Sequence, residues 1–102
     1  MKWFKITFTP AQIANNQLSA LQDQFIELFM AGEEPRNMAL FSTDSSPDTF
    51  YICASAASAS YVNVLTTSYD ASPCHKPTDE KLNLLAGSAH GIDKLLQDKN
   101  SS

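Results

Sequence analysis

The opening segment alternates in hydrophobicity and passes directly into an amphipathic helix. In residues 3–9, Phe4, Ile6 and Phe8 take one side of an extended chain, and the residues between them take the other. A two-residue period with aromatic and β-branched members is typical of a strand with one buried face. That face must pack against another layer, so a helix that follows the strand is expected to cover it.

The helix carries a clear start signal. Thr9 is a favourable N-cap, Pro10 stands at the first helical position, and Gln12 completes a capping box with Thr9. Apolar residues then recur at three- and four-residue steps, as Ala14, Leu18, Leu21, Phe25 and Leu28. Because Pro35 prevents continuation of a helix, the sequence predicts one helix over residues 10–31.

Two short apolar segments, residues 37–43 and 49–54, flank a turn-forming segment, residues 44–48. Two β-prone segments around a short polar loop predict an antiparallel hairpin. In the second segment alternate side chains face opposite ways, with Phe50, Ile52 and Ala54 on one side and Tyr51 and Cys53 on the other.

Residues 55–60 are small and of low complexity, and they either link elements or open a second helix. Residues 61–69 are expected to continue that helix, with a strand as the alternative because the segment is rich in β-branched residues. The helix is favoured because a chain that has closed a hairpin usually returns to the sheet through a helical crossover.

The last part of the chain is expected to return to the sheet and end in a helix. Residues 70–79 contain two prolines and predict a loop. Residues 81–86 alternate and predict a fourth strand, with a helix from Thr78 as the alternative. Ser88 can cap a short helix over residues 89–97.

The resulting element order is β-α-β-β-α-β plus a short C-terminal helix, in one domain over residues 1–102. The last residues, about 98–102, are polar and are expected to fray. The order is that of ferredoxin-like folds, so the sequence predicts an α+β sandwich with a four-stranded antiparallel sheet and helices on one face. Such folds host unrelated functions, so the fold alone assigns none.

Composition argues against several classes of partner. The net charge is −4, and Arg36 is the single arginine, so the clustered cations of a nucleic-acid or anionic-membrane surface are missing. No apolar run reaches the roughly 20 residues that span a bilayer, and the N-terminus does not resemble a signal peptide. A cytoplasmic protein is therefore expected, with Cys53 and Cys74 as thiols.

Three residues are candidates for catalysis. Cys74 and His75 are adjacent in the predicted loop, next to Lys76, and His90 follows in the predicted last helix. A nearby cation favours the nucleophilic thiolate. Three such residues without tight spacing do not make a metal motif, and no cofactor motif is present, so neither a metal nor a cofactor is expected.

The strongest functional feature of the sequence is a predicted open sheet face. Trp3, Tyr51 and Cys53 lie opposite the predicted helices, and Met38 and Leu40 join them if the register of that strand is right. Large exposed apolar patches are uncommon on monomers, so this face predicts an interface. The favoured hypothesis is a non-enzymatic binding module that self-associates as a homodimer through this face. The alternative is a small enzyme or redox protein that uses Cys74 with His75 or His90.

Overall fold

Five strands and three helices make up the described part of the chain. A computed structural model describes residues 2–30 and 37–87. The strands are β1 (Lys2–Thr7), β2 (Met38–Thr43), β3 (Thr49–Ala54), β4 (Ser72–Cys74) and β5 (Leu82–Gly87). The helices are α1 (Pro10–Ala14), α2 (Gln17–Met30) and α3 (Ala59–Ser68). The sheet has the order β4-β1-β3-β2-β5, and every neighbouring pair is antiparallel.

The prediction of a four-stranded ferredoxin-like sheet is wrong, because the sheet has five strands and the described chain has three helices. The segment predicted as a loop contains β4, which pairs with β1 at one edge of the sheet. Pro73 is tolerated there because an edge strand has one side without ladder hydrogen bonds. The segment predicted as the fourth strand forms β5, at the opposite edge beside β2.

The helix predicted over residues 10–31 is divided in two. The predicted capping box is present, since the Thr9 hydroxyl accepts from the Gln12 amide at 3.2 Å and the Thr9 amide donates to Gln12 Oε1 at 2.8 Å. Asn16 then adopts a φ of 58°, a left-handed conformation that asparagine tolerates better than most residues. The ladder therefore breaks between α1 and α2, and residue 31 lies outside the described residues.

Both open choices in the second half are resolved. Residues 59–68 form the helix α3, and residues 82–87 form the strand β5. The hairpin of β2 and β3 is confirmed, with Met38 opposite Ala54 and Leu40 opposite Ile52. The C-terminal helix expected over residues 89–97 lies outside the described residues.

The helices cover one face of the sheet, where the larger core lies. Phe4, Ile6 and Phe8 pack on this side, as predicted. Phe8 lies 5.2 Å from Phe50 and 5.9 Å from Tyr69, measured between ring centroids. The fully or nearly fully buried members of this helix-side core are Ile6, Phe8, Leu21, Phe25, Met38, Leu40, Phe50, Ile52, Ala54, Val62, Leu65 and Tyr69. Each large side chain removed from water contributes about 1.5–3 kcal/mol, so this core supplies most of the favourable burial.

Candidate functional site

Residues 75–81, here called the strap, connect the two edges of the sheet. The strand pairings place Cys74 and Ala39 side by side across the sheet, in line with Trp3 and Cys53. Leu82 pairs with Thr43, which lies four residues after Ala39 in β2. The strap must therefore cover about 19 Å across four strand spacings and about 14 Å along them, a diagonal of about 24 Å. Eight residue steps reach at most about 26–29 Å, so the strap has little slack and cannot pass around the helices.

The strap consequently runs over the sheet face that carries no helix. The buried residues on that face form the strap-side cluster, which consists of Trp3, Ala39, Phe41, Tyr51 and Cys53. Trp3 stacks on Phe41 with 5.8 Å between ring centroids, and its exposed fraction is only 7%. Burial raises the pKa of Cys53 to about 12, and the charge of Lys76 in the strap opposes the shift. The short reach of the strap and the burial of this cluster both indicate that the strap crosses the sheet on this face.

Glu80 fastens the far end of the strap. Its Oε1 accepts a hydrogen bond from the Ser45 hydroxyl at 3.2 Å. Its Oε2 is buried without a well-formed hydrogen bond to any described residue. Burial raises the pKa of Tyr51 to about 12, and the approach of the Glu80 carboxylate adds to that shift. Glu80 therefore links the strap to Ser45, in the turn after β2, and to Tyr51 in β3.

The residues predicted for an open interface lie on two different faces. Trp3, Tyr51 and Cys53 are in the strap-side cluster, whereas Met38 and Leu40 are buried in the helix-side core. The register explains the difference, because β2 places Ala39 opposite Cys53 and Phe41 opposite Tyr51, and opposite residues share a face. All five predicted residues are buried within the single chain.

Cys74 and His75 lie where β4 ends and the strap begins. Cys74 is half-buried against the strap-side cluster, and His75 is exposed. Burial raises the pKa of the Cys74 thiol, and the nearby Lys5 ammonium opposes the shift. A raised pKa reduces the thiolate fraction, which is the opposite of what an activated nucleophile requires. The third candidate, His90, lies outside the described residues.

A disulfide between the two cysteines does not fit this sheet. Cys53 and Cys74 pair with Trp3 from its two sides, so two strand spacings of about 4.8 Å separate their backbones. A disulfide needs Cα atoms within about 7 Å of each other. Both cysteines are accordingly free thiols.

We expect both thiols to be less reactive than a free thiol, with Cys74 alkylated before Cys53. Burial favours the neutral form of each, so the pH midpoint of Cys74 alkylation should lie above the value of about 8.5 for a free cysteine. Cys53 should react only as the protein unfolds, because it is fully buried. Timed iodoacetamide labelling from pH 7 to 10, followed by mass spectrometry with glutathione as the reference, measures both rates.

The matched controls are Cys53→Ser, which isolates Cys74, and His75→Ala, which removes the neighbouring imidazole. If Cys74 reacts faster than glutathione at pH 7, and His75→Ala removes that difference in rate, the prediction of an unreactive thiol is wrong. The enzyme alternative would then gain support.

A cavity of about 680 Å³ opens at the corner where α3 packs against β1 beside the edge strand β4. This corner cavity is lined by Lys2, Trp3, Phe4, Ala56, Ala59, Ser60, Asn63, Pro73 and Cys74. Ala56, Ala59 and Ser60 are too small to fill the space between the helix and the sheet. The run of small residues that opens α3 therefore creates the cavity, and its volume lies in the range of about 300–1,000 Å³ typical of small-molecule sites.

The corner cavity is electropositive in an otherwise acidic chain. Within the described residues, the only charged side chain that lines it is Lys2. The N-cap of α3, Ser58, makes no capping hydrogen bond with its side chain, and of the first-turn amides that of Tyr61 donates to the Ser58 carbonyl at 3.1 Å. The N-terminal end of the helix dipole adds a positive partial charge on this side. No carboxylate side chain from the described ranges lines the cavity. The sequence predicted the small-residue run and the opening strand, but not β4, which contributes Pro73 and Cys74 to the lining.

A second, smaller cavity of about 390 Å³ lies between α2 and α3. Its lining residues are Gln24, Glu27, Leu28, Val64, Leu65 and Ser68. Three of these residues are polar and three are apolar, and Glu27 is the single charged group among them. The cavity is the smaller of the two, near the lower limit of about 300 Å³ for small-molecule sites, and its charge has the opposite sign to that of the corner cavity.

Neither a metal cluster nor a transmembrane helix is found in residues 2–30 and 37–87. No three His, Cys, Asp or Glu side chains converge there to hold a metal ion. No helix in these ranges has the length and hydrophobicity needed to cross a bilayer. The chain matches no protein-family model, and it has no match among curated proteins or solved structures.

Proposed function

We propose that the chain is a small, non-enzymatic binding module whose ligand occupies the corner cavity. The observation that carries this proposal is a cavity of about 680 Å³ whose lining combines apolar side chains with the polar groups of Lys2, Ser60 and Asn63. Pre-formed concave sites of this composition are typical of small-molecule binding. Because β1 and α3 are regular elements, they hold the lining residues in place before a ligand arrives.

The alternative of an enzyme or redox protein has less support. Its nucleophile would be Cys74, whose side chain packs in the strap-side cluster and whose pKa is raised by burial. His75 would have to act as the base, but it is only adjacent to Cys74 in sequence. Adjacent residues in an extended chain face opposite ways, so the imidazole is not expected to reach the thiol.

Self-association and a cytoplasmic location belong to the same proposal. Homodimerisation through the sheet face requires the strap to move away from the strap-side cluster, since that cluster is buried in the single chain. The free thiols of Cys53 and Cys74 fit a reducing compartment such as the cytoplasm.

Filling the corner cavity is expected to abolish ligand binding without unfolding the protein. Asn63 is exposed and lines the cavity, so Asn63→Trp should place an indole in the space that the ligand needs. A ligand that binds the folded state raises the unfolding temperature, so a thermal-shift screen of small molecules finds candidates for the wild type. Affinity measured by calorimetry should fall at least tenfold in Asn63→Trp.

The matched control is Thr67→Trp, which adds the same side chain one turn further along α3, outside the cavity lining. Ligands of the wild type should bind Thr67→Trp unchanged. A screen without any hit, or hits that bind Asn63→Trp as tightly as the wild type, would contradict the proposed function.

A further inference from the structure

We infer that the ligand of the corner cavity is an organic monoanion with an apolar body, such as an aromatic or aliphatic carboxylate. This inference rests on the proposed function and adds the charge and shape of the ligand to it. The arrangement that carries it is a lysine on one wall, the N-terminal end of α3 with Ser60 and Asn63 on the other, and apolar side chains between them.

Lys2 is positioned by the sheet. It lies opposite Ala54 in the ladder of β1 and β3, and alternation places it on the same side of β1 as Phe4 and Ile6. Its side chain is exposed, and it makes no salt bridge with any described residue. The ammonium group is therefore available to a ligand at the rim of the cavity.

The wall formed by α3 offers hydrogen-bond donors. Ser60 and Asn63 line the cavity and carry a hydroxyl and a side-chain amide, and the backbone amides of Ala59 and Ser60 are not capped by the side chain of Ser58. A carboxylate accepts hydrogen bonds from all of these groups, and the helix dipole favours a negative charge at this end. A cationic ligand would face Lys2 and the same dipole without a compensating carboxylate in the described lining.

The remaining walls favour an apolar ligand body. Phe4, Ala56, Ala59 and Pro73 contribute apolar surface, and Phe4 is a half-buried aromatic ring. A small inorganic anion would leave this surface in contact with water, whereas an aromatic or aliphatic group would cover it. The walls therefore favour an organic acid over a free phosphate or sulfate.

The local charges outweigh the acidity of the whole chain. The net charge of −4 opposes an anion, but charges further away than about 8 Å are largely screened at physiological ionic strength. An exposed charge near a helix terminus changes affinity by about two- to fivefold, and Lys2 acts together with the terminus of α3. A preference of about three- to tenfold for an anion over its neutral analogue is therefore expected.

The test compares two fluorescent probes that differ in charge. The anion is 1-anilinonaphthalene-8-sulfonate, and the neutral analogue is N-phenyl-1-naphthylamine. The anion should bind the wild type three- to tenfold more tightly than the neutral analogue does. Added salt should weaken the binding of the anion and leave the binding of the neutral analogue unchanged. Lys2→Met should remove most of this preference, whereas Lys5→Met, an exposed lysine on the opposite side of β1, should leave it intact.

Asn63→Trp separates the two ways in which the test can fail. If both probes bind with equal affinity and Asn63→Trp blocks both, the cavity is a binding site and the inferred charge preference is wrong. If Asn63→Trp blocks neither probe, the proposed function and this inference both fail. If Lys2→Met keeps the preference for the anion, the inference is also wrong, because the positive charge that the anion recognises would then lie outside the corner cavity.

Discussion

Replacing Trp3 with lysine is expected to unfold much of the protein instead of changing its association state. Trp3 has an exposed fraction of 7%, stacks on Phe41 and belongs to the strap-side cluster. Loss of a buried tryptophan costs about 3–5 kcal/mol, and an ammonium group under the strap adds a further cost of desolvation. Small domains have a total stability of only about 5–15 kcal/mol, so urea unfolding followed by circular dichroism should show a large loss.

Thr7→Lys is the matched control for Trp3→Lys. Thr7 lies on the same strand and the same side of β1, but it is exposed, so its replacement should change the free energy of unfolding by less than about 0.5 kcal/mol. Sedimentation velocity should then show the same association state for the wild type and Thr7→Lys. A folded Trp3→Lys that changes a wild-type dimer into a monomer would support the open interface and contradict a strap that covers Trp3.

Gly87→Ala is expected to destabilise the protein by roughly 2–6 kcal/mol. Gly87 has a φ of +101°, a conformation that side chains rarely adopt, and strain of this kind costs about 1–3 kcal/mol. A Cβ atom there would collide with the carbonyl oxygen of Met38 and lie 2.8 Å from the Cα of Ala39 and 2.9 Å from Cε1 of Phe25. Overpacking costs a further 1–3 kcal/mol or so, because two of these three contacts are with backbone.

Two further variants separate strain from collision at Gly87. Asparagine tolerates a positive φ better than alanine does. If the collision of the Cβ atom dominates, Gly87→Asn should lose nearly as much stability as Gly87→Ala; if backbone strain dominates, Gly87→Asn should lose less. Leu84→Ala, on the same strand but with an exposed fraction of 46%, should cost less than about 1 kcal/mol. Chemical unfolding of all three variants measures the differences, and a Gly87→Ala protein as stable as the wild type would show that β5 ends differently.

Local signals predicted the first part of the fold well. The alternation of Phe4, Ile6 and Phe8 and the capping box at Thr9 act over a few residues, and both occur as predicted. The break at Asn16 was missed because the apolar stripe continues on both sides of it. A single left-handed residue changes the ladder without changing the hydrophobic period, so periodicity could not detect it.

The sequence contains a signal that the second face of the sheet is buried. The segments of β2 and β3 are nearly continuous apolar runs, and five of the six residues in β2 and all six in β3 are buried. Continuous runs are typical of strands covered on both faces, whereas a sheet with one open face alternates. This signal predicts a covered second face, but it does not say which segment covers it.

By itself, the sequence determined the elements whose signals are local: the opening strand, the capped start of the helix that follows it, and the central hairpin. Only the tertiary structure decided that Ser72–Cys74 and Leu82–Gly87 lie at opposite edges of one sheet. The strap and the corner cavity both follow from that placement. Strand pairing joins residues far apart in the chain, and its free energy depends on which faces are buried together, which no short window of sequence contains.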